Sequence, residues 1–332
     1  MIARRLSPNT AAKPIPAPKP EDLLGQSLMD RLDRLDVMCR KVLAGKLPGE
    51  RRSKRRGRSV EFDDHRPYSA GDDLRHINWH VLGRLDRLVL KLFREDEDLS
   101  ITIIVDASPS MEAGEPSKRT YAMQLASALA YLGLARNNRV SVHVVCAPGK
   151  PLIQRSAMMR ARSSIRPMLG FLANAIQPGE TVPAQSDPDA LLTAVSSVCA
   201  QARSPGVRFL ISDMLTRADA NQTLSALVAT TSGLGADAVL LHTLSPGEID
   251  PSREEHRGLI GDVRLTDAED LRAAELTLTD DAIAQYKQRL GQWQQSLIHA
   301  CRARDIVYRL VQTDTDVADL LSQELRRDGV LG

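Results

Sequence analysis

The sequence has few aromatic residues and few cysteines, and each shortage narrows the class of protein. Aromatic residues make up 3% of the chain, so Leu, Val, Ile and Ala must fill the core. The four cysteines, Cys39, Cys146, Cys199 and Cys301, lie far apart and form no C-x-x-C pair. A disulfide framework or a zinc module is therefore not expected, and a reducing compartment fits the sequence.

Long apolar runs and an excess of one charge are also missing. No stretch approaches the roughly 18 apolar residues that a membrane span needs. The start, Met1 to Arg5, lacks the apolar core of a signal peptide. Lys and Arg number 44 against 42 Asp and Glu, and the net charge of +2 does not argue for nucleic acid or membrane. We therefore expect a soluble, cytoplasmic protein without a membrane span.

The chain is expected to have three parts. Residues 1–20 form a tail, disordered because it is rich in proline and poor in residues to bury. Residues 21–98 hold an amphipathic helix, a basic stretch and a β-rich segment. Residues 99–328 alternate between strand and helix, which is typical of a mainly parallel α/β sheet with helices on both faces.

The predicted elements follow from hydrophobic periodicity and from turn and cap signals. The predicted strands are 59–62, 88–93, 100–105, 140–146, 151–155, 207–213, 238–243 and 306–311. The predicted helices are 21–44, 118–135, 157–176, 189–202, 217–230, 280–303 and 315–327.

The most informative stretch is a buried strand, Ile101–Val105, followed by Asp106, Ser108 and Ser110. These three side chains fall in the loop at the strand's carboxyl end, where open α/β sheets place their ligands. One carboxylate and two hydroxyls make an oxygen-only site that suits Mg²⁺ or Mn²⁺. A second apolar strand ends at Asp213, and neighbouring parallel strands share one rim, so Asp213 is expected to face the same ion.

The Asp-x-Ser-x-Ser pattern after a buried strand resembles the metal-ion-dependent adhesion site of von Willebrand factor A domains. The resemblance implies a Rossmann-type fold and a further hydroxyl ligand from a third loop, Thr181 or Ser186. We favour Ser186, because it lies at a helix start, where those domains have Thr. The plain alternative is structural, since Asp and Ser side chains commonly cap helices and stabilise turns.

A second resemblance covers roughly residues 50–328. The matching segments are Gly57–Phe62, Arg66–Trp79 (with Arg-x-Tyr and Gly-Asp-Asp-x-Arg-x-Ile-Asn-Trp), Tyr286–Trp293 and Tyr308–Thr315. They resemble the family catalogued as domain of unknown function 58, which places such a block before a von Willebrand A-like domain. Asn78 stands where the family more often has Asp. Many members carry amino-terminal membrane helices, so this chain resembles the short soluble branch.

The resemblance also implies partners. Similar families are encoded beside MoxR-type AAA+ ATPases, where von Willebrand A proteins are thought to act as adaptors. The expected function is therefore non-enzymatic: metal-dependent binding of an unknown client protein, together with such an ATPase, in maturation of a protein complex. Asp106, Ser108 and Ser110 would hold the ion, Asp213 would tune it through water, and a carboxylate of the partner would complete its coordination.

Two other functions stay open. Asp106 would also suit the nucleophile of a metal-dependent phosphatase or hydrolase, although no Asp-x-Asp-x-Thr pattern is present. The segment Arg51–Arg58 has six basic residues in eight, which would suit an acidic partner or nucleic acid. No aromatic residues are interleaved to stack on bases, so a solvated loop is the plainer interpretation and nucleic acid is not expected.

The remaining candidates are mostly structural. Asp72, His76 and His80 share one face of a helix at a spacing that fits zinc, but ion pairing with nearby arginines is favoured. Trp79 is expected to pack into a core and to anchor residues 59–98. His143, inside an apolar strand, is expected to be a core residue with its hydrogen bonds satisfied.

Overall fold

The computed structural model describes most of the chain and divides it into two units. The described residues are 2–4, 20–39, 60–69, 77–95, 99–147, 150–175, 189–215, 219–229, 235–251, 261–266 and 273–332. One compact unit is Leu47–Asp98, and the other combines Met1–Lys46 with Leu99–Gly332.

The strands coincide with short runs of Val, Ile and Leu. In chain order they are β1 (Ile2–Arg4), β2 (Val60–Pro67), β3 (Val89–Glu95), β4 (Ser100–Asp106), β5 (Arg139–Val145), β6 (Ile153–Arg155), β7 (Gly206–Ser212), β8 (Ala236–Leu244), β9 (Gly261–Thr266), β10 (Ala273–Leu278) and β11 (Ile306–Gln312).

The helices lie between these strands. They are α1 (Pro20–Leu23), α2 (Gln26–Leu32), α3 (Trp79–Leu85), α4 (Lys118–Ala135), α5 (Ile165–Ala175), α6 (Ala190–Gln201), α7 (Ala220–Val228), α8 (Pro246–Ile249), α9 (Asp280–Arg302) and α10 (Val317–Asp319). Short 3₁₀ turns cover Pro109–Glu112 and Arg162–Ser164, and a π-helical turn covers Leu320–Leu325.

Six strands of the described chain form the central sheet, in the order β11-β8-β7-β4-β5-β6. Neighbours pair in parallel, except that β6 runs antiparallel to β5. From β4 the chain proceeds to β5 and β6 on one side, and then returns to β7 on the other side. The strand order therefore reverses between β4 and β7, and such a reversal opens a crevice where doubly wound sheets bind ligands.

The sheet is covered on both faces, as alternation along a strand requires. Ile101, Ile103 and Val105 of β4 lie in a core cluster with α4 and α5. Ile104 lies in a second cluster with α6, α7 and α9. Full burial of each such side chain contributes about 1.5–3 kcal/mol. The predicted fold class, a mainly parallel sheet between two helical layers, is confirmed.

The segment after the proline-rich tail differs from the prediction. Instead of one helix over 21–44, the chain forms two short helices, α1 and α2, which are separated at Gly25. Helix α2 ends at Leu32, and the chain turns at Asp33. Val37 pairs with Leu331 in an isolated antiparallel bridge. Leu23 and Leu32 are buried in the same cluster as β4, so this segment belongs to the main unit rather than to a part spanning 21–98. Residues 1, 5–19 and 40–44 lie outside the described part of the chain.

The smaller unit contains an antiparallel hairpin of β2 and β3, with a bulge between Phe62 and Asp64. Helix α3 follows Asn78, whose side chain accepts a hydrogen bond from the backbone N–H of His80. Trp79 is 62% exposed in the first turn of this helix, so the prediction that it anchors the segment is wrong. Among the described residues of this unit, Ile77, Asn78 and Leu90 are buried, and Ile77 pairs with Leu90 across a bridge.

Two further elements differ from the sequence-based expectation. The helix predicted over 157–176 begins at Ile165, because Met159 instead forms a bridge with Val140 at the edge of the sheet. The strands β1, β9 and β10 form a separate antiparallel sheet that was not predicted. Most other elements begin and end within a few residues of the predicted positions. In the part of the chain that the structure describes, no helix is both long enough and apolar enough to cross a membrane.

Candidate functional site

Asp106 is the last residue of β4 and lies at the point where the strand order reverses. Asp106 is 2% exposed, and its carboxylate accepts hydrogen bonds on both oxygens. Oδ1 accepts the backbone N–H of Ser108 at 2.9 Å, and Oδ2 accepts the hydroxyl of Ser212 at 2.7 Å. Ser212 is the last residue of the adjacent strand β7, so this second bond joins the two strand ends.

The hydroxyls of Ser108 and Ser110 lie 3.1 Å apart, within hydrogen-bonding distance of each other. Ser110 is buried in the 3₁₀ turn, and Ser108 precedes that turn. The side chains of Ala107 and Met111, on either side of these residues, are buried in the main core and fix the loop. The predicted carboxylate and two hydroxyls therefore occupy one short, anchored loop.

Asp213 follows β7 in a loop that is fixed by its own side chains. Asp213 Oδ1 accepts the backbone N–H of Leu215 at 2.9 Å, and the hydroxyl of Ser212 accepts that of Met214 at 2.9 Å. Met214 adopts a positive φ of 54°, a strained backbone conformation for a non-glycine residue. The imidazole of His242 lies 3.0 Å from the carbonyl oxygen of Asp213 and donates to it through Nε2.

The second carboxylate oxygen of Asp213 binds a lysine. The ammonium of Lys118, the first residue of α4, lies 2.7 Å from Asp213 Oδ2 and 2.5 Å from Glu248 Oε1. The Lys118 side chain is fully buried. Burial alone would lower the pKa of Lys118, but the carboxylates of Asp213 and Glu248 outweigh it and raise that pKa above its usual value. Lys118 is therefore charged in the fold.

The charges around Asp106 do not balance. Burial, and then the charge of Asp213, raise the pKa of Asp106 to about 6. The hydrogen bonds from Ser212 and Ser108 act in the opposite direction but do not cancel this effect. Three carboxylates, those of Asp106, Asp213 and Glu248, share the single cation Lys118 among the described groups. A divalent cation would neutralise the remaining charge, because opposite charge favours the ionised form of a buried carboxylate.

The residues present fit a hard divalent cation, with one departure. Among the described residues no three Asp, Glu, His or Cys side chains cluster as a metal cage, so a cation here must rely on hydroxyl oxygens. Asp106, Ser108 and Ser110 supply such a set. The departure is Asp213, whose Oδ2 is bound by Lys118. The third-loop candidates Thr181 and Ser186 lie outside the described residues.

The environment of Asp106 bears on the alternative of a covalent enzyme. A nucleophilic carboxylate must reach its substrate with a free oxygen. Both oxygens of Asp106 accept hydrogen bonds, and only 2% of the residue is exposed. Each carboxylate oxygen keeps a second lone pair, so Asp106 can still hold a cation within the loop, whereas its burial limits access by an outside substrate.

Several residues of the site were missed by sequence reasoning: Lys118, Ser212, His242, Ser245 and Glu248. Ser245 and Glu248 form a reciprocal capping box at the start of α8, and the spacing Ser-x-x-Glu was available as a signal. Lys118 and His242 gave no signal, because an isolated Lys or His looks the same whether buried or exposed.

The other sequence candidates do not join this site. His143 is half-buried on β5, and its Nε2 lies 3.3 Å from the hydroxyl of Ser141. Its buried Nδ1 has no hydrogen-bond partner, so the expectation of a fully satisfied histidine is wrong. Asp72, His76 and the basic segment Arg51–Arg58 lie outside the described residues.

Comparison with known proteins gives a family and distant relatives. The family described as "Protein of unknown function DUF58" matches residues 64–296. An uncharacterized protein of Mycobacterium bovis is 26% identical over 250 residues, which cover 75% of this chain and 73% of that protein. An uncharacterized protein of Mycobacterium tuberculosis matches with the same identity and coverage.

Solved structures give weaker likenesses. The conserved hypothetical protein BatB from Bacteroides thetaiotaomicron is 17% identical, covers 70% of this chain and 98% of its own, and has a TM-score of 0.37. An aerotolerance-related membrane protein from Bacteroides fragilis is 15% identical, covers 69% and 99%, and has a TM-score of 0.35. Scores this low do not establish a shared fold. The fold class therefore rests on the strand order, and the family membership rests on the family match.

Proposed function

The chain belongs to the family described as protein of unknown function DUF58, and from that premise we propose that it is a non-enzymatic, metal-dependent protein-binding adaptor. Asp106, Ser108 and Ser110 would hold Mg²⁺ or Mn²⁺ at the carboxyl end of the sheet. A carboxylate of a partner protein would occupy a remaining coordination position. The ion, when bound, supplies positive charge and open coordination positions for that acidic group.

The observation that carries this proposal is the unbalanced negative charge at the point where the strand order reverses. Burial, and then the charge of Asp213, raise the pKa of Asp106 to about 6. Two hydroxyls of one anchored loop stand next to that carboxylate. Hydroxyl ligands carry no charge, so the bound ion would keep a net positive charge and would bind an anionic ligand of a partner.

The proposal includes the partners expected from the sequence. We propose that the adaptor works with a MoxR-type AAA+ ATPase and binds a client protein during maturation of a protein complex. A reducing, cytoplasmic setting is in keeping with the four cysteines, none of which forms a disulfide.

Calorimetric titration with Mg²⁺ and Mn²⁺ tests the proposed site. We expect Asp106→Asn and Ser108→Ala each to weaken binding by more than about tenfold, since even outer partners of metal ligands commonly contribute that much. Asp280→Asn is the matched control, because it removes the same charge from an exposed position on α9. Circular dichroism at the same temperature checks that each variant is folded.

The result that would contradict the proposal is clear. If Asp106→Asn and Asp280→Asn bind the metal equally well, the ion is not at this loop. If the folded wild-type protein binds neither metal at millimolar concentration, metal-dependent capture of a partner is excluded. Steady-state hydrolysis of a phosphate ester that is lost in Asp106→Asn would instead favour the enzyme alternative.

A further inference from the structure

We infer that Lys118 is a built-in cation that competes with the divalent metal for Asp213 and links the occupancy of the site to helix α8. This inference rests on the proposed metal-dependent function and adds the means by which that site is regulated. In the metal-free protein the ammonium of Lys118 would hold Asp213. In the loaded protein the ion would draw on Asp213, and Lys118 would keep only its contact with Glu248.

The burial of Lys118 shows that it is not a surface ion pair. Its side chain is fully buried, and Asp213 and Glu248 are 2% and 16% exposed at their side chains. Few lysines are buried this completely, because an unpaired charge in the interior is costly. The two short contacts, 2.7 Å to Asp213 and 2.5 Å to Glu248, compensate that cost.

The geometry makes the competition direct. Asp213 Oδ1 accepts the N–H of Leu215, and Oδ2 accepts the ammonium of Lys118. Asp213 directly follows Ser212, whose hydroxyl donates to Asp106 Oδ2 at 2.7 Å, so the two carboxylates lie at neighbouring strand ends, within reach of one ion. A metal at Asp106 that recruits Asp213 must share Oδ2 with Lys118 or displace it. Either step lowers the affinity for the metal below the affinity that Asp213 would give without Lys118.

The contacts of Glu248 carry this competition beyond the site. Its Oε2 accepts the backbone N–H and the hydroxyl of Ser245, which closes the start of α8. Its carbonyl oxygen accepts the hydroxyl of Tyr286 on α9. The metal-binding loop itself abuts Ser245, since a Cβ at Gly114 would lie 2.6 Å from the Cβ of Ser245. Loss of the contact between Lys118 and Asp213 would therefore leave Lys118 bound to Glu248 alone, in the capping box of α8.

A charge-matched double variant tests the competition. Lys118→Met together with Glu248→Gln removes one positive and one negative charge, so the net charge of the site stays the same while Asp213 loses its partner. We expect this variant to bind Mg²⁺ or Mn²⁺ more tightly than wild type by about tenfold or more, because a charge that opposed the ion at close range is gone. A merely structural lysine predicts equal or weaker binding. Lys287→Met with Asp250→Asn is the matched control, since it removes another ion pair near α8.

Three outcomes separate this inference from the proposed function. Equal or weaker metal binding by the folded double variant, relative to wild type, overturns the inference and leaves the proposed function standing. Binding by the double variant alone supports the inference and contradicts metal-dependent function in the natural protein. Binding by neither protein overturns both.

A fluorescence readout covers the case in which the double variant does not fold. Trp293 packs edge-on against His242 at 5.0 Å between ring centroids, and His242 donates to the carbonyl of Asp213. In Trp79→Phe, Trp293 is the remaining tryptophan. We expect Mg²⁺ to change its emission with the midpoint found by calorimetry, because Asp213 responds to the ion. Trp293 emission that stays unchanged at a saturating metal concentration overturns the inference.

Discussion

At the scale of single residues, His143 shows how burial in this sheet opposes charge. It lies half-buried on β5, opposite Arg155 of β6 in the antiparallel register. Burial, and then the charge of Arg155, lower the pKa of His143 from 6.5 to about 4. The neutral imidazole is therefore favoured in the fold, whereas the unfolded chain takes up a proton near pH 6.5.

This difference predicts a loss of stability in mild acid. Neutral His143 contributes to the free energy of unfolding. This contribution is fully present above pH 6.5 and is lost as the pH falls toward 4. We expect wild type to lose about 1–3 kcal/mol relative to His143→Gln between pH 7 and pH 4, discounted for partial exposure. Urea unfolding at a series of pH values measures this difference. His299→Gln, which removes an exposed histidine on α9, is the matched control. Parallel curves for wild type and His143→Gln would contradict it.

Residues of the site differ in how far the sequence predicts them. Asp106, Ser108 and Ser110 are predictable because their spacing lies within one loop after an apolar strand. Lys118 is not, because its partners Asp213 and Glu248 lie 95 and 130 residues away in the chain. Only the fold brings them together, so the departure from a simple metal loop could not be foreseen.

At the scale of elements, the loop between β4 and α4 depends on a glycine. Gly114 has a φ of 92°, a conformation that other residues rarely adopt. An added Cβ there would also lie 2.6 Å from the Cβ of Ser245, at the start of α8. The loop that carries Ser108 and Ser110 is therefore seated directly against a second element. Strain at Gly114 is expected to be transmitted to both.

Gly114→Ala tests this seating. We expect it to destabilise the fold by about 1–3 kcal/mol, through the unfavourable φ and the contact with Ser245. We also expect weaker Mg²⁺ binding, because the loop must shift. Gly170→Ala on α5 is the matched control: nothing lies within 4 Å of its added Cβ. Its change in a helix interior is expected to stabilise by about 0.4–1 kcal/mol. Equal unfolding free energies for the two variants would contradict the expected strain.

Elements were predictable where their hydrophobic period was long and undisturbed. Helices α4 and α9 and the strands of the central sheet met that condition. The helix predicted from residue 157 failed because Met159 pairs with Val140 through backbone hydrogen bonds, which the side-chain pattern does not encode. The sheet of β1, β9 and β10 was missed for a similar reason, since β1 pairs with a strand more than 250 residues away.

At the scale of the whole molecule, the reversal of strand order concentrates the polar groups at one rim. Val105 of β4 pairs with Ile211 of β7, so the residues that follow each strand emerge side by side. That adjacency was predictable from the rule that parallel strands share a carboxyl edge. The order of the strands was not predictable, because it depends on which faces the helices cover. The fold thus brings two ordinary strand ends together in one cluster of charged residues.

The last prediction concerns what this cluster of charged residues binds. If the proposed metal site at Asp106, Ser108 and Ser110 is the recognition surface, a client or a MoxR-type ATPase should bind with Mg²⁺ present and dissociate with EDTA. Asp213→Ala should weaken the complex less than Asp106→Ala, because Asp213 is already shared with Lys118. Neutralising Arg51–Arg58 should act mainly on the association rate and on salt sensitivity, since exposed charges steer partners more than they hold them. Surface plasmon resonance at two salt concentrations separates these effects. Binding that ignores EDTA but is lost on neutralising that segment would move the recognition surface to the basic residues.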